Sequence, residues 1–181
     1  MILLVNACVR REKSRTRRLA QIFLPNEFSE VVLEQENLRP LDSAGLEQRN
    51  RLLNEGCLDD PLFRYAHQFS QADLIVIAAP YWDLSFPALL KCYLEAITVN
   101  GITFKYDQEG RPLGLCQAQK LIYVTTSGGY IGELNLGYTY VKALAAMLGI
   151  TETQFAGAEG LDIWGNDPET ILQQAILKYI K

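Results

Sequence analysis

Ser14 and Thr16 stand in a loop that also carries Arg10, Arg11, Lys13, Arg15, Arg17 and Arg18 against one acid, Glu12, in a chain of formal net charge -4. Hydroxyls among cations are suited to hold an oxyanion, because the hydroxyls donate hydrogen bonds and the cations supply charge. The basic surplus is local, so it reads as serving a site rather than solubility. Two further groupings could do chemistry. Pro80, Tyr81, Trp82, Asp83 and Leu84 put two aromatic rings beside an acid, which suits the wall of a slot for a planar molecule. Ser127, Gly128, Gly129 and Tyr130 contain paired glycines, where a flat ligand can come close to the backbone. The first loop has neither a Gly-x-x-x-x-Gly-Lys-Ser/Thr nor a Gly-x-Gly-x-x-Gly pattern, which leaves a small phosphate monoester as the expected anion.

Each grouping needs elements to position it. Ile2, Leu3, Leu4 and Val5 form a branched apolar run that suits a strand buried on both faces. Ser14 or Thr16 then caps a helix whose apolar face, Leu19, Ala20, Ile22, Phe23 and Leu24, runs to Pro25. A strand feeding a helix in this way directs backbone N–H groups and the positive end of a helix dipole at one point. Residues 30–35 form a second strand through Val31, Val32 and Leu33, and residues 37–56 read as polar and irregular. A helix over 58–71 carries Leu62, Tyr65, Ala66 and Phe69 on one stripe. His67, the single histidine, falls off that stripe and reads as a surface or boundary residue. Further strands are expected at 73–79, 119–126 and 153–158, and further helices at 88–98, 138–148 and 168–180.

Five strands alternating with helices define an α/β fold, a three-layer sandwich with a parallel sheet of order 2-1-3-4-5. At 181 residues and 49% hydrophobic content the chain has the size of a single domain, 1–181, with an arm-like insertion at about 101–115. In this topology the three groupings meet at the carboxyl ends of the first, third and fourth strands. A planar ring with a phosphate tail satisfies all three, which points to FMN. Cys8, Cys57, Cys92 and Cys116 are widely spaced, so neither a disulfide framework nor a metal site is expected, and a reducing cytoplasm fits. No apolar run reaches membrane-spanning length and the first residues lack the form of a signal peptide, so no membrane insertion is expected. The acidic balance argues against nucleic acid as a partner.

The chain resembles the flavodoxin-like FMN-dependent NAD(P)H oxidoreductases, in particular the azoreductase and NAD(P)H:quinone oxidoreductase group. The resemblance rests on several stretches: the loop reaching Ser14, Arg15 and Thr16; Ala79-Pro80-Tyr81-Trp82 with Pro87, Leu90, Lys91 and Tyr93; Gly101-Ile102-Thr103-Phe104-Lys105-Tyr106; Thr126-Ser127-Gly128-Gly129; and Leu148-Gly149-Ile150 leading to Ala158-Glu159-Gly160. It departs at Ala7 and Cys8, where a serine is usual, and at Asp83, where an asparagine is usual; Asp83 is therefore expected to offer its backbone N–H. The resemblance implies bound FMN, NADH or NADPH as cosubstrate, and two-electron ping-pong hydride transfer to quinones, azo compounds or similar planar acceptors. It implies that Ser14, Arg15 and Thr16 hold the phosphate, Pro80 to Leu84 the ring edge and N5 region, and Ser127, Gly128 and Gly129 the pyrimidine end, with Tyr130 also among the cofactor-binding residues. Trp82, Phe104 and Tyr106 become candidates for the walls of the substrate slot. It also implies a homodimer with the arm near the subunit boundary. Arg10 and Arg11 could read the extra phosphate of NADPH. A flavodoxin-type electron carrier without its own NAD(P)H oxidation, or a non-flavin binding module, are the alternatives.

Overall fold

The structure, a computed structural model, describes residues 1–180. In chain order its elements are β1 (Ile2–Asn6), α1 (Arg15–Ala20), β2 (Ser29–Val32), α2 (Ser43–Asn54), α3 (Arg64–Ser70), β3 (Leu74–Ala78), α4 (Ala88–Ile97), β4 (Phe104–Tyr106), β5 (Pro112–Gly114), β6 (Lys120–Thr126), α5 (Leu136–Met147), β7 (Glu152–Ala158) and α6 (Pro168–Tyr179). Five strands pair in parallel in the order β2-β1-β3-β6-β7, while β4 and β5 form a separate antiparallel hairpin. Counting sheet strands alone, this is the expected 2-1-3-4-5 arrangement.

The alternation of side chains along each strand divides the core in two. Leu3, Val5, Ile75, Ile77, Leu121 and Tyr123 face the side covered by α3, α4 and α5. Leu4, Val76, Ala78, Ile122 and Val124 face the side covered by α1 and α6. Both faces are filled, which is why the strands read as unbroken apolar runs rather than alternating ones.

The structure corrects the expected elements in four places. Residues 43–54, read as irregular, form the helix α2: Asp42 accepts from the Gly45 N–H at 2.8 Å as its N-cap, and Leu52 is its one buried side chain. In a helix this polar the few apolar residues, Leu46, Leu52 and Leu53, do not stand out as a stripe. The helix expected over 58–71 begins as a tight turn, Pro61–Phe63, before α3. The second strand stops at Val32, and Leu33–Gln35 form another such turn. The first helix ends at Ala20, and Gln21–Phe23 continue as a tighter turn.

The arm is a hairpin at the amino-terminal edge of the sheet. The Gln117 N–H donates to the Ser70 carbonyl at 2.8 Å, and the Cys116 N–H to the Leu148 carbonyl at 3.2 Å, both just before strands begin. Gly114 lies directly on the Gly149 backbone, where a Cβ would come within 2.0 Å of the Gly149 nitrogen. Ile102 and Phe104 are buried within their own chain, so neither is free to be covered by a partner; Tyr106, 59% exposed, is.

Candidate functional site

Opposite the hairpin, at the carboxyl edge, the chain leaves β1 toward one face and β3 toward the other, and a cleft opens between these connections. It is lined by Cys8, Val9, Arg10, Ser14, Arg15, Thr16, Pro80, Tyr81, Trp82, Thr126, Ser127, Gly128, Leu161 and Asp162. The enclosed part is about 140 Å³, enough for the tail of a nucleotide, with the mouth open beyond it. A larger hollow of about 270 Å³ lies on the flank between residues 37–42, α2 and α4, and none of the three expected loops reaches it.

At the tail end, Ser14 is buried and caps α1, its Oγ accepting from the Arg17 N–H at 3.2 Å. The N–H groups of Arg15 and Thr16, in the first turn, have no acceptor among the described residues. Thr16 is buried with its Oγ1 2.6 Å from the Thr126 Oγ1, which ties α1 to the end of β6. The resulting set is hydroxyls, free N–H groups and the Arg15 and Arg10 guanidiniums. The Cys8 thiol, which donates to the Ala78 carbonyl at 3.4 Å, is pushed up to about 11, chiefly by burial and in spite of the nearby Ser14 hydroxyl and Arg17 charge. It is therefore a packed, protonated group rather than a nucleophile.

At the mouth, Trp82 to Ser85 form a tight turn closed by reciprocal backbone bonds, Trp82 N–H to Ser85 O at 3.2 Å and Ser85 N–H to Trp82 O at 2.7 Å. Asp83 and Leu84 both have positive φ, 49° and 65°. Asparagine or aspartate suits the first such position, but leucine at the second is strained. The turn is held from outside: the Leu84 carbonyl accepts from the Leu136 N–H at 3.2 Å, and the Tyr81 hydroxyl donates to the Leu134 carbonyl at 3.0 Å. The N–H groups of Asp83 and Leu84 have no acceptor among the described residues. Ser127 spends its hydroxyl on the Gly129 carbonyl at 2.6 Å. Gly128 is close-packed against the Asp162 carboxylate, whereas a Cβ on Gly129 would meet nothing within 4 Å.

The fold thus gathers Ser14, Arg15, Thr16, Pro80, Tyr81, Trp82, Ser127 and Gly128 into one cleft; Asp83, Leu84, Gly129 and Tyr130 follow these residues in the chain but do not line it. Phe104 and Tyr106 are not brought there. Phe104 is drawn into the core at the far edge, with Tyr106 edge-on to it at a centroid distance of 5.4 Å. Arg11 is engaged by Glu34, with Nη2 to Oε1 at 2.9 Å, so of the two arginines expected to read a second phosphate only Arg10 lines the cleft. His67 is half-buried, its Nε2 2.8 Å from the Leu58 carbonyl. Sequence reading missed Leu161 and Asp162. The one available signal was that the last strand of a parallel sheet delivers its loop to the same edge as the others.

An open parallel sheet with a tail-and-ring cleft at its carboxyl edge is a nucleotide-binding α/β architecture. The chain belongs to the family described as having the flavodoxin-like fold, which it matches over residues 1–181. It is 37% identical over 176 residues to the FMN-dependent NADH:quinone oxidoreductase of Clostridium beijerinckii, a match covering 92% of this chain and 88% of that protein. It is 45% identical over 125 residues to FMN-dependent NADH:quinone oxidoreductase 2 of Clostridium acetobutylicum, covering 66% of this chain and 62% of that one. Among solved structures, the azoreductase from Bacillus anthracis str. Sterne matches with a TM-score of 0.81 and 26% identity, over 98% of this chain and 95% of that one.

Proposed function

We propose that this chain is an FMN-dependent oxidoreductase that oxidises NADH or NADPH and reduces quinones, azo compounds or similar planar acceptors in a two-electron ping-pong cycle. One observation carries the reading: a single cleft joins an oxyanion end, made by Ser14, Arg15, Thr16 and unspent N–H groups, to a flat end made by Tyr81, Trp82 and Gly128. The names of the relatives support FMN, NADH and a quinone, and that of the Bacillus anthracis azoreductase an azo acceptor. Bound FMN supplies reversible two-electron hydride chemistry, so the protein needs few reacting side chains. Ser14, Arg15 and Thr16 hold the phosphate. Pro80, Tyr81 and Trp82 would flank the ring, and the N–H groups of Asp83 and Leu84, which have no acceptor among the described residues, would be the donors this loop offers it in place of the Asp83 carboxylate. Ser127, Gly128, Gly129 and Tyr130 border the pyrimidine end. Trp82, 44% exposed, would form a wall of the slot for a planar substrate.

The active form is a homodimer in the reducing cytoplasm. The four cysteines are all free, and no helix among the described residues is long and apolar enough to cross a membrane. Leu84, Tyr130, Leu134 and Leu136 surround the mouth and are exposed, as a surface awaiting cover would be. Since Tyr106 stands at the edge opposite its own cleft, any part it takes in the substrate slot is at the cleft of a second copy. Reconstitution with FMN followed by anaerobic addition of NADH or NADPH tests the enzyme reading: the flavin absorbance bleaches, and a quinone restores it. A protein that stays yellow with both nicotinamides is a carrier, and one that takes up no FMN refutes the reading. Sedimentation at micromolar concentration tests the dimer, and a monomer counts against it.

A further inference from the structure

The arginines of the first loop divide by how they are held. Arg11 is held at two nitrogens by Glu34, at 3.4 and 2.9 Å. Arg17 is held at two by Glu30, at 3.1 and 3.0 Å, and Arg18 at two by Glu169, both at 2.8 Å. Those forks are filled. Arg15 is held at one point only, Nη1 to the Asp162 Oδ1 at 2.8 Å, and its Nε and Nη2 have no hydrogen bond among the described residues. Arg15 and Asp162 both line the cleft, although they lie 147 residues apart in sequence.

Asp162 is itself fixed. Its N–H donates to the Gly128 carbonyl at 3.0 Å, and that of its buried neighbour Leu161 to the Ser127 carbonyl at 3.1 Å. Its carboxylate occupies the space beside Gly128, where a Cβ would come within 2.7 Å of Oδ2. One of the paired glycines is therefore explained by an acid from the last loop, not by close approach of a ring. A guanidinium tethered at one corner by a carboxylate on an anchored backbone keeps the rest of its planar fork free and pre-oriented for a second oxyanion. The negative charge of Asp162 also opposes an incoming phosphate, but its side chain is 62% exposed, so that repulsion is screened by water and salt while the 2.8 Å bond acts locally.

We propose that Asp162 is the positioning residue for Arg15 and so sets the affinity of the cleft for a phosphate-bearing flavin over the same flavin without phosphate. This rests on the FMN reading given above. The test is fluorescence titration of FMN and of riboflavin into the apoprotein at fixed ionic strength. Asp162→Ala should weaken FMN binding roughly tenfold, the scale of losing a pre-oriented charge-assisted contact, and leave riboflavin binding unchanged. Asp162→Asn, which keeps an acceptor for Nη1, should recover most of the loss. In an Arg15→Ala background Asp162→Ala should have no further effect. The proposal is overturned if Asp162→Ala binds FMN equally or more tightly, which would make the acid inert or a competitor, or if it loses riboflavin in parallel, which would make its role structural. Failure of the unaltered protein to bind FMN would instead refute the cofactor assignment, and this proposal with it.

Discussion

Replacing Ser14 by aspartate separates two tasks that one hydroxyl performs. Ser14 caps α1 through its bond with the Arg17 N–H, and it lines the tail end of the cleft. Aspartate caps a helix as well as serine does, although at this buried position its charge adds a desolvation cost; alanine cannot cap, and Ser14→Ala should cost about 1 kcal/mol. In a domain of this size that lowers the thermal midpoint by about 2–4 °C. For the ligand the order reverses. A carboxylate within about 5 Å of a phosphate, at an effective dielectric of about 20, costs about 3 kcal/mol per pair of unit charges. A phosphate monoester carries about 1.5–2 charges at neutral pH, so even one unit of repulsion weakens FMN binding more than a hundredfold. Ser14→Ala, which removes one donor and leaves the N–H groups and Arg15, should lose roughly tenfold. Differential scanning fluorimetry of the apoprotein and flavin fluorescence quenching give the two readings. The reasoning is refuted if Ser14→Asp binds FMN within tenfold of the unaltered protein, or if Ser14→Ala melts no lower than the unaltered protein.

Gly114→Ala sets a Cβ 2.0 Å from the Gly149 nitrogen and 2.1 Å from the Leu148 carbonyl carbon, backbone that cannot step aside. It should destabilise by roughly 4 kcal/mol or more, read as a collapse of the urea midpoint. Leu84→Gly should leave the urea midpoint of the apoprotein unchanged or slightly raised, because relief of about 1–2 kcal/mol of left-handed strain outweighs about 0.5–1 kcal/mol of added chain entropy. A lowered midpoint would show that the turn is not strained. The Cys8 thiol, raised to about 11 in the folded chain, favours the fold fully below its unfolded value of about 8.5, and that contribution is lost as pH climbs toward 11. Cys8→Ala should therefore flatten part of the alkaline fall in thermal midpoint, and mass spectrometry after iodoacetamide at pH 8 should find exposed Cys57 modified and Cys8 intact.

The fold was legible because both faces of its sheet are buried. Val76, Ile77, Val124 and their neighbours had to be apolar without interruption, and short unbroken runs separated by helical stripes specify a parallel sheet and its connections. The first loop, the aromatic loop and the glycine pair were legible for a related reason: each follows a strand directly, and all parallel strands deliver their carboxyl ends to one edge. The helix α2 was not, since it buries only Leu52 and is polar on average, so its three leucines are too sparse to read as a core-facing stripe. Its start was written only in the capping by Asp42.

Sequence alone determined which residues could hold a phosphate and a flat ring, but not which of them are free to do so. Composition shows a basic loop; only the packed chain reveals that Glu30, Glu34 and Glu169, 13 to 151 residues away, fill the forks of Arg17, Arg11 and Arg18 and leave Arg15 with donors unspent. Likewise Phe104 and Tyr106 are aromatic in either account, and only the topology sends them to the edge away from the cleft, because α4 runs back along the sheet before the hairpin begins. Strand and helix patterns are local and survive in a one-dimensional record. The pairing of charges and the choice of sheet edge depend on contacts between distant segments, and those exist only once the chain has closed on itself.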